Sequence, residues 1–412
     1  MSAAFDLVTA DRLVTCDPAL ATAADPLGVL TPGAVLLEGG RVVFAGRVEA
    51  ARAAVPAGAA ITERAAPLVT PGLVDAHTHA AWVGSRHAEY ALRMQGADYE
   101  AIAKAGGGIA STMRAVRAAS RDEIAAELTQ RLGRMVRAGV TTVEVKSGYG
   151  LDLASEEKLL EAVAQARAAA GTPRVVATYL ALHALPPEAG DRGAYAAHVT
   201  QNDLPALAAA GLFAFVDAYI DRSAFSTADA APLFRRAREL GLGVRAHVGQ
   251  FADVGGAELA ASVGARSADH LEHLGPSGAD ALAAAGVRAA LLPVASFTLG
   301  QAPPPVGLLR SAGVPLVVAS DANPGTAPTE SLPLALALAV RVYGLTVAEA
   351  LLGATREAAI SLGLTDVGVL VPGASADLVL WDLPHEAALV QPWGVPRART
   401  VIGRGRVLSG SG

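Results

Sequence analysis

Short apolar runs alternate with Ala-, Glu- and Arg-rich stretches through the middle of the chain, which is the pattern of repeated strand–helix units. Eight runs read as strands: LVDAHTH from Leu73, VTTVEVKSGYG from Val140, VVATYLALHAL from Val175, FAFVDAYID from Phe213, GVRAHVGQ from Gly243, RSADHLEHL from Arg266, RAALLPV from Arg288 and PLVVASDANPG from Pro315. Eight parallel strands with helices between them are what a closed (β/α)8 TIM barrel requires, and that α/β fold is the expected core. The crossover from Ala80 to Gly139 is long enough to hold more than one helix. The two ends read differently. Short strands broken by Gly-Gly and Pro-Gly turns open the chain, and VGVLVPGASADLVLWDLP and RARTVIGRGRVLSG repeat that pattern near its close. Neither end makes a sheet alone. The expected organisation is one small β-sandwich domain built from residues 1–68 and 365–412, flanking a barrel over residues 69–364.

Composition narrows the function. Hydrophobic residues make up 52% of the 412 but aromatics only 4%, so the core is built mainly from aliphatic side chains. The net charge is -6, and of 33 basic residues only Lys104, Lys146 and Lys158 are lysines; no basic run offers a nucleic-acid footprint. Cys16 stands alone, so no intrachain disulfide forms, which suits a reducing compartment. Asp6 and Asp11 fall where a signal peptide needs an apolar stretch. The apolar run Leu332 to Val340 is far short of the ~20 residues that span a bilayer. The expectation is a soluble cytoplasmic enzyme with a small-molecule substrate and neither nucleic-acid nor membrane partners.

Barrel active sites form where the loops after the strands converge. The predicted strand ends carry His77 and His79, Lys146 and Tyr149, His183, Asp217 and Asp221, His247, His270, and Asp321, with His273 just beyond. Packing alone gives no reason for five of nine histidines to gather at one rim. In His77-Thr78-His79 the two imidazoles share a strand face and can reach one metal ion. His247 and Asp321 complete a nitrogen/oxygen donor set suited to zinc or iron.

These residues carry a family resemblance. PGLVDAHTH, His247, ASDANP with Asp321 and the later PGASADLVLWD resemble the amidohydrolase superfamily. GSRHAEYALRMQGADYEAIAKAGGGI, TTVEVKSGYGL, VGGAELAASVGARSADHLEHL and SDANPGTAPTESL narrow it: from about residue 70 to residue 365 the chain is similar to the imidazolonepropionase family of histidine degradation. The resemblance implies metal-dependent hydrolysis of 4-imidazolone-5-propanoate to N-formimidoyl-L-glutamate, one metal per chain, and a homodimer. It places Asp321 as the proton carrier and His270 as the donor to developing oxyanion charge. Arg86 meets the substrate propionate through bidentate hydrogen bonds. Tyr149 and His183 contact substrate, with Asn323, Gly325 and Thr326 on the far side.

At Gln250, three residues after the ligand histidine, family members carry Glu or Gln; an amide binds the ring but cannot act as a base, which leaves proton transfer to Asp321 and His270. Lys146 ends the second strand rather than a mid-barrel one, so it reads as structural or as support to Tyr149, not as a carboxylated bridge between two metals. Gly106-Gly107-Gly108 lacks any phosphate-loop context and reads as a loop closing over the site or as a helix break. Two rival readings are a deaminase of a cyclic nucleobase-like amidine, and an inactive scaffold that kept the fold.

Overall fold

The computed structural model describes residues 4–96, 107–391 and 393–410. Eight parallel strands form one sheet, each hydrogen-bonded to the next in chain order. We number them β1 (Leu73–Asp75), β2 (Val140–Lys146), β3 (Arg174–Leu182), β4 (Phe215–Ile220), β5 (Gly243–Val248), β6 (Ser267–His270), β7 (Arg288–Leu291) and β8 (Leu316–Val318). All eight lie where the apolar runs place them. Every residue of β2 is buried, as befits a strand covered on both faces, although Thr141, Thr142, Glu144 and Lys146 interrupt its apolar positions. The helices between them carry ordinary start signals. Ser120 and Glu123, for instance, form a reciprocal cap on the helix Arg121–Arg137. Among the described residues, the long first crossover holds that helix together with His87–Met94 and Ile109–Ala118.

β1 and β8 close the sheet into a barrel just past their ends. Thr78 and Ala322 form a parallel bridge. The Asp321 amide donates to the His77 carbonyl at 3.1 Å, and the His79 amide donates to the Ala322 carbonyl at 3.0 Å. Regular pairing stops at Asp75 and Val318, so His77, His79 and Asp321 sit on the short segments that make the closure.

The chain ends form a mixed sheet. Its strands run in the order Arg406–Gly410, Ala398–Gly403, Leu378–Trp381, Ala60–Pro71, Ala4–Val14, Gly33–Glu38, Arg41–Gly46, with Val29–Leu30 paired to Ala4–Val14. Ala60–Pro71 lies between strands from opposite ends of the chain and leads through Gly72 into β1. Trp381 is 1% exposed and donates from its indole to Thr70 at 2.9 Å, a bond within this sheet, while its ring packs against the start of the barrel at Gly139. Gly139, with φ +97°, leaves room for the Trp381 ring where any side chain would strike it.

Beneath the rim, the barrel interior departs from the usual layers of branched aliphatics. Glu144, Lys146, Asp217, Arg245 and Asp269 are all 0% exposed. Burying that many charges is costly unless they pair, and they do.

Candidate metal centre and active site

The charged layer orients the metal-site histidines. His77 holds Asp269 through Nδ1 at 2.6 Å, and His247 holds Asp217 through Nδ1 at 3.1 Å. A carboxylate on Nδ1 keeps the proton there and turns the Nε2 lone pair inward. Arg245 lies 3.4 Å from Asp269 and donates at 2.8 Å to the carbonyl of Ala76, next to His77. Asp75 accepts from the amide and hydroxyl of Ser320, at 3.0 and 2.6 Å, and so anchors the residue before Asp321.

The donor atoms converge. Asp321 Oδ1 lies 3.5 Å from His77 Nε2 and 3.4 Å from His79 Nε2. His247 Nε2 lies 3.2 Å from His79 Nε2. Donor atoms of the three histidines all fall within 4.8 Å of one another. His77 Nε2 and Asp321 Oδ1 are buried with no hydrogen-bond partner among the described residues. Buried polar atoms left in that state are costly, and a cation between them removes the cost. The spacings suit one: four ligands at 2.0–2.1 Å around a tetrahedral ion sit about 3.3 Å apart. Burial drives the pKa of His77 and His79 well below the usual histidine value, aided by the neighbouring histidines and Lys146, so both imidazoles are neutral and ready to bind a metal.

His270 ends β6 beside this cluster, its ring 5.5 Å from that of His247. His270 (φ +80°), Leu271 (φ +72°) and Asp321 (φ +55°) all occupy the left-handed region, a strain of about 1–3 kcal/mol each that gathers at functional sites. Burial works against charge on His270, but Glu272, 3.8 Å from its Nδ1, outweighs it and raises the pKa. Glu272 is itself held by the Ser296 hydroxyl at 2.6 Å, and that hydroxyl lies 2.5 Å from the Tyr343 hydroxyl.

Above the donor cluster lies a pocket lined by His79, Arg86, Tyr149, His183, Gln250, His270, Asp321, Asn323 and Thr326, all expected there from the sequence. Gly325 does not line it; instead it packs so tightly on the Arg86 guanidinium that a β-carbon would overlap it. Asn323 accepts from the amides of Gly325 and Thr326, at 2.8 and 2.7 Å, and thus builds the turn that carries them. His183 donates from Nδ1 to the Gly148 carbonyl, 2.7 Å away, leaving Nε2 for the pocket. The Gln250 side-chain oxygen Oε1 receives the Tyr219 hydroxyl at 2.8 Å.

Other sequence expectations fall elsewhere. Asp221 binds the amides of Arg222 and Phe251, and His273 is exposed. Lys146 lies beneath the pocket, bonded to Glu144 and Asp217. Gly106 lies outside the described residues; Gly108 precedes the helix Ile109–Ala118 with φ +69° and donates to Glu89. Tyr219, Ile109 and Phe251 also line the pocket, and Asp269 and Glu89 support it, although the sequence does not single them out. Asp269 had one signal, an acid directly before a strand-end histidine. Glu89 had none beyond its three-residue spacing from Arg86, whose Nε it receives at 2.8 Å.

His183 gives a pH test. Burial, only partly offset by the bond to Gly148, pushes its pKa down from 6.5 to about 4. The folded chain therefore keeps it neutral while the unfolded chain protonates it below about 6.5. Stability is full above that pH and is lost as pH falls towards 4, by up to about 3 kcal/mol. Denaturant midpoints measured across that window should fall less steeply for His183→Asn than for the parent; equal slopes would contradict the buried neutral state.

A profile described as "Amidohydrolase family" matches residues 89–408. The imidazolonepropionase of Polaromonas sp. strain JS666 is 48% identical over 363 residues, covering 87% of this chain and 85% of its own length. That of Mesorhizobium japonicum is 45% identical over 394 residues, covering 94% and 96%. This chain belongs to the imidazolonepropionase family of amidohydrolases. The same fold extends to distant amidohydrolases: atrazine chlorohydrolase from Arthrobacter aurescens, solved with zinc, superposes with a TM-score of 0.71 at 17% identity over 98% of this chain and 95% of that one. As in other imidazolonepropionases, the chain is a hydrolase of a ring C–N bond, and its three-histidine group can hold a metal ion. Among the described residues no helix is long and apolar enough to cross a membrane.

Proposed function

We propose that this chain opens the ring of 4-imidazolone-5-propanoate at its amide-like C–N bond, yielding N-formimidoyl-L-glutamate, with one metal ion held by His77, His79, His247 and Asp321. The observation that carries the reading is the convergence of these four donors beneath a single polar pocket. A cation bound there supplies Lewis acidity and lowers the pKa of water to about 7.

The chain's own groups do the rest. Asp321, buried beside the histidine donors, is placed to accept a proton from the attacking water and return it to the leaving nitrogen. His270, whose pKa Glu272 helps to raise against burial, is placed to donate to the oxygen that gains charge as water adds to the ring carbonyl. Gln250 and Tyr219 form a neutral hydrogen-bonded pair that contacts the ring without moving a proton. Tyr149 and His183 pack beside His79, with ring centroids 6.0 and 5.2 Å from its own, and limit water around the ring. Arg86, backed by Gly325 and steadied by Glu89, offers the guanidinium that binds the propionate.

Purified chain incubated with freshly prepared imidazolone propanoate, with metal content determined on the same sample, tests the whole reading. Turnover with about one zinc or iron per chain supports it; metal without turnover discards the substrate. Arg86→Ala is expected to raise KM about 10- to 100-fold with kcat little changed, since hydrogen bonds to charged groups contribute about 1.5–3 kcal/mol. Unchanged KM would remove Arg86 from the propionate site. The reading also includes a cytoplasmic location, which the lone buried thiol of Cys16 suits, and a homodimer, supported by the family resemblance alone; light scattering in solution checks the dimer.

A further inference from the structure

Lys146 is 0% exposed and does not line the pocket, yet it joins the supports of all three metal-site histidines. Its ammonium donates to Glu144 Oε1 at 2.8 Å and to Asp217 Oδ2 at 2.9 Å. The other oxygen of Asp217 receives His247 Nδ1 at 3.1 Å. The other oxygen of Glu144 receives the backbone amide of Thr78 at 3.1 Å, and the Thr78 hydroxyl donates to the Glu144 carbonyl at 2.6 Å. Thr78 is the residue between His77 and His79. One ammonium on β2 thus ties the carboxylate that fixes the His-Thr-His backbone to the carboxylate that aims His247. With both neighbours within hydrogen-bond distance, Nζ is committed as a cation, and converting it to a carbamate would place a third negative group against two carboxylates.

We propose that Lys146 is a positioning residue for the metal site: the Glu144–Lys146–Asp217 bridge sets the spacing of the three histidines and thereby the affinity for the ion. The inference rests on the metal reading above. Its physical content lies in the sign of the effect. Lys146 and a metal cation carry like charge, so by Coulomb repulsion alone removing the ammonium tightens metal binding. Loss of the bridge acts the other way. Two buried carboxylates are left uncompensated and must move apart, carrying Thr78 and His247 with them. Outer partners of metal ligands typically govern about 10- to 100-fold of affinity.

The test uses the metal-free chain titrated with zinc against a fluorescent chelator of known affinity. Lys146→Met is expected to weaken zinc binding about 10- to 100-fold, with turnover at saturating zinc showing an unchanged KM, because Lys146 does not touch the pocket. Glu144→Gln combined with Lys146→Met removes one charge of each sign and cancels the Coulomb contribution; it should weaken zinc binding too, and it decides the matter where the single variant does not fold. A lower melting temperature with wild-type or tighter zinc affinity overturns the proposal and leaves Lys146 a purely structural ion pair. If both variants match a zinc-binding wild type, only this inference falls. If the wild-type chain takes up no zinc, the metal reading falls and takes this inference with it.

Discussion

Asp321→Ala is expected to lower kcat by about a thousandfold or more, since a positioned acid–base group alone contributes about 10²–10⁴ and this carboxylate also faces the metal-site histidines. Few side chains here are so committed. Asp321 lies on the closing segment of the barrel with φ +55°, its backbone amide bound to the His77 carbonyl and the preceding Ser320 gripped by Asp75. The alanine variant keeps these backbone bonds, so it should fold and bind substrate. Asp321→Asn separates the two roles: the amide retains an oxygen for the metal but cannot take a proton at neutral pH. Steady-state kinetics with metal content on the same samples reads the outcome. An asparagine variant with near wild-type kcat would move the proton transfer elsewhere, with His270 the first place to look.

His77→Ala is expected to abolish both stable metal binding and turnover. The imidazole joins the donor cluster to Asp269, and Asp269 to Arg245, so its removal deletes a ligand and leaves a buried carboxylate with a single cation 3.4 Å away. Metal content measured after dialysis should fall from about one per chain to near none, and activity should not return with added zinc. Arg86→Ala, by contrast, keeps its metal. Metal should also leave the parent chain on acidification, because protons compete for the same nitrogens and oxygen. Asp321, its metal-free pKa raised by burial to about 7, takes up a proton below that pH, so apparent affinity should strengthen as pH rises through it. If His77→Ala retained one metal per chain, the donor set would have to be redrawn without that histidine.

Much of this was legible in the chain itself. The eight apolar runs named the barrel strands because a parallel strand covered on both faces is largely apolar, and the charges that do lie inside, Glu144 and Lys146 of β2 among them, are paired. The histidines stood out because imidazoles are poor core residues, and their recurrence at predicted strand ends gave them a common rim. Asn323 and Gly325 were marked as pocket residues, but their contacts assign them different work: Asn323 builds the turn, and Gly325 makes room for Arg86. Side-chain commitments of that kind are set by neighbours in space, and periodicity carries no record of them.

The linear pattern determined the fold class, the rim on which the chemistry sits and the residue types that form it, since burial and backbone geometry act on every few residues and leave their period in the chain. Tertiary structure alone decided three further things. Barrel closure at Thr78 and Ala322 carried Asp321 to His77 and His79 across more than two hundred residues of sequence. Packing chose Asp269 and Asp217, out of 39 acidic residues, to aim two imidazoles. It also placed Lys146 between Glu144 and Asp217, where an ammonium in an apolar interior persists only against paired carboxylates. A buried charge is stable only with its partner beside it, and which partner that is depends on how the strands come together, not on their spacing along the chain.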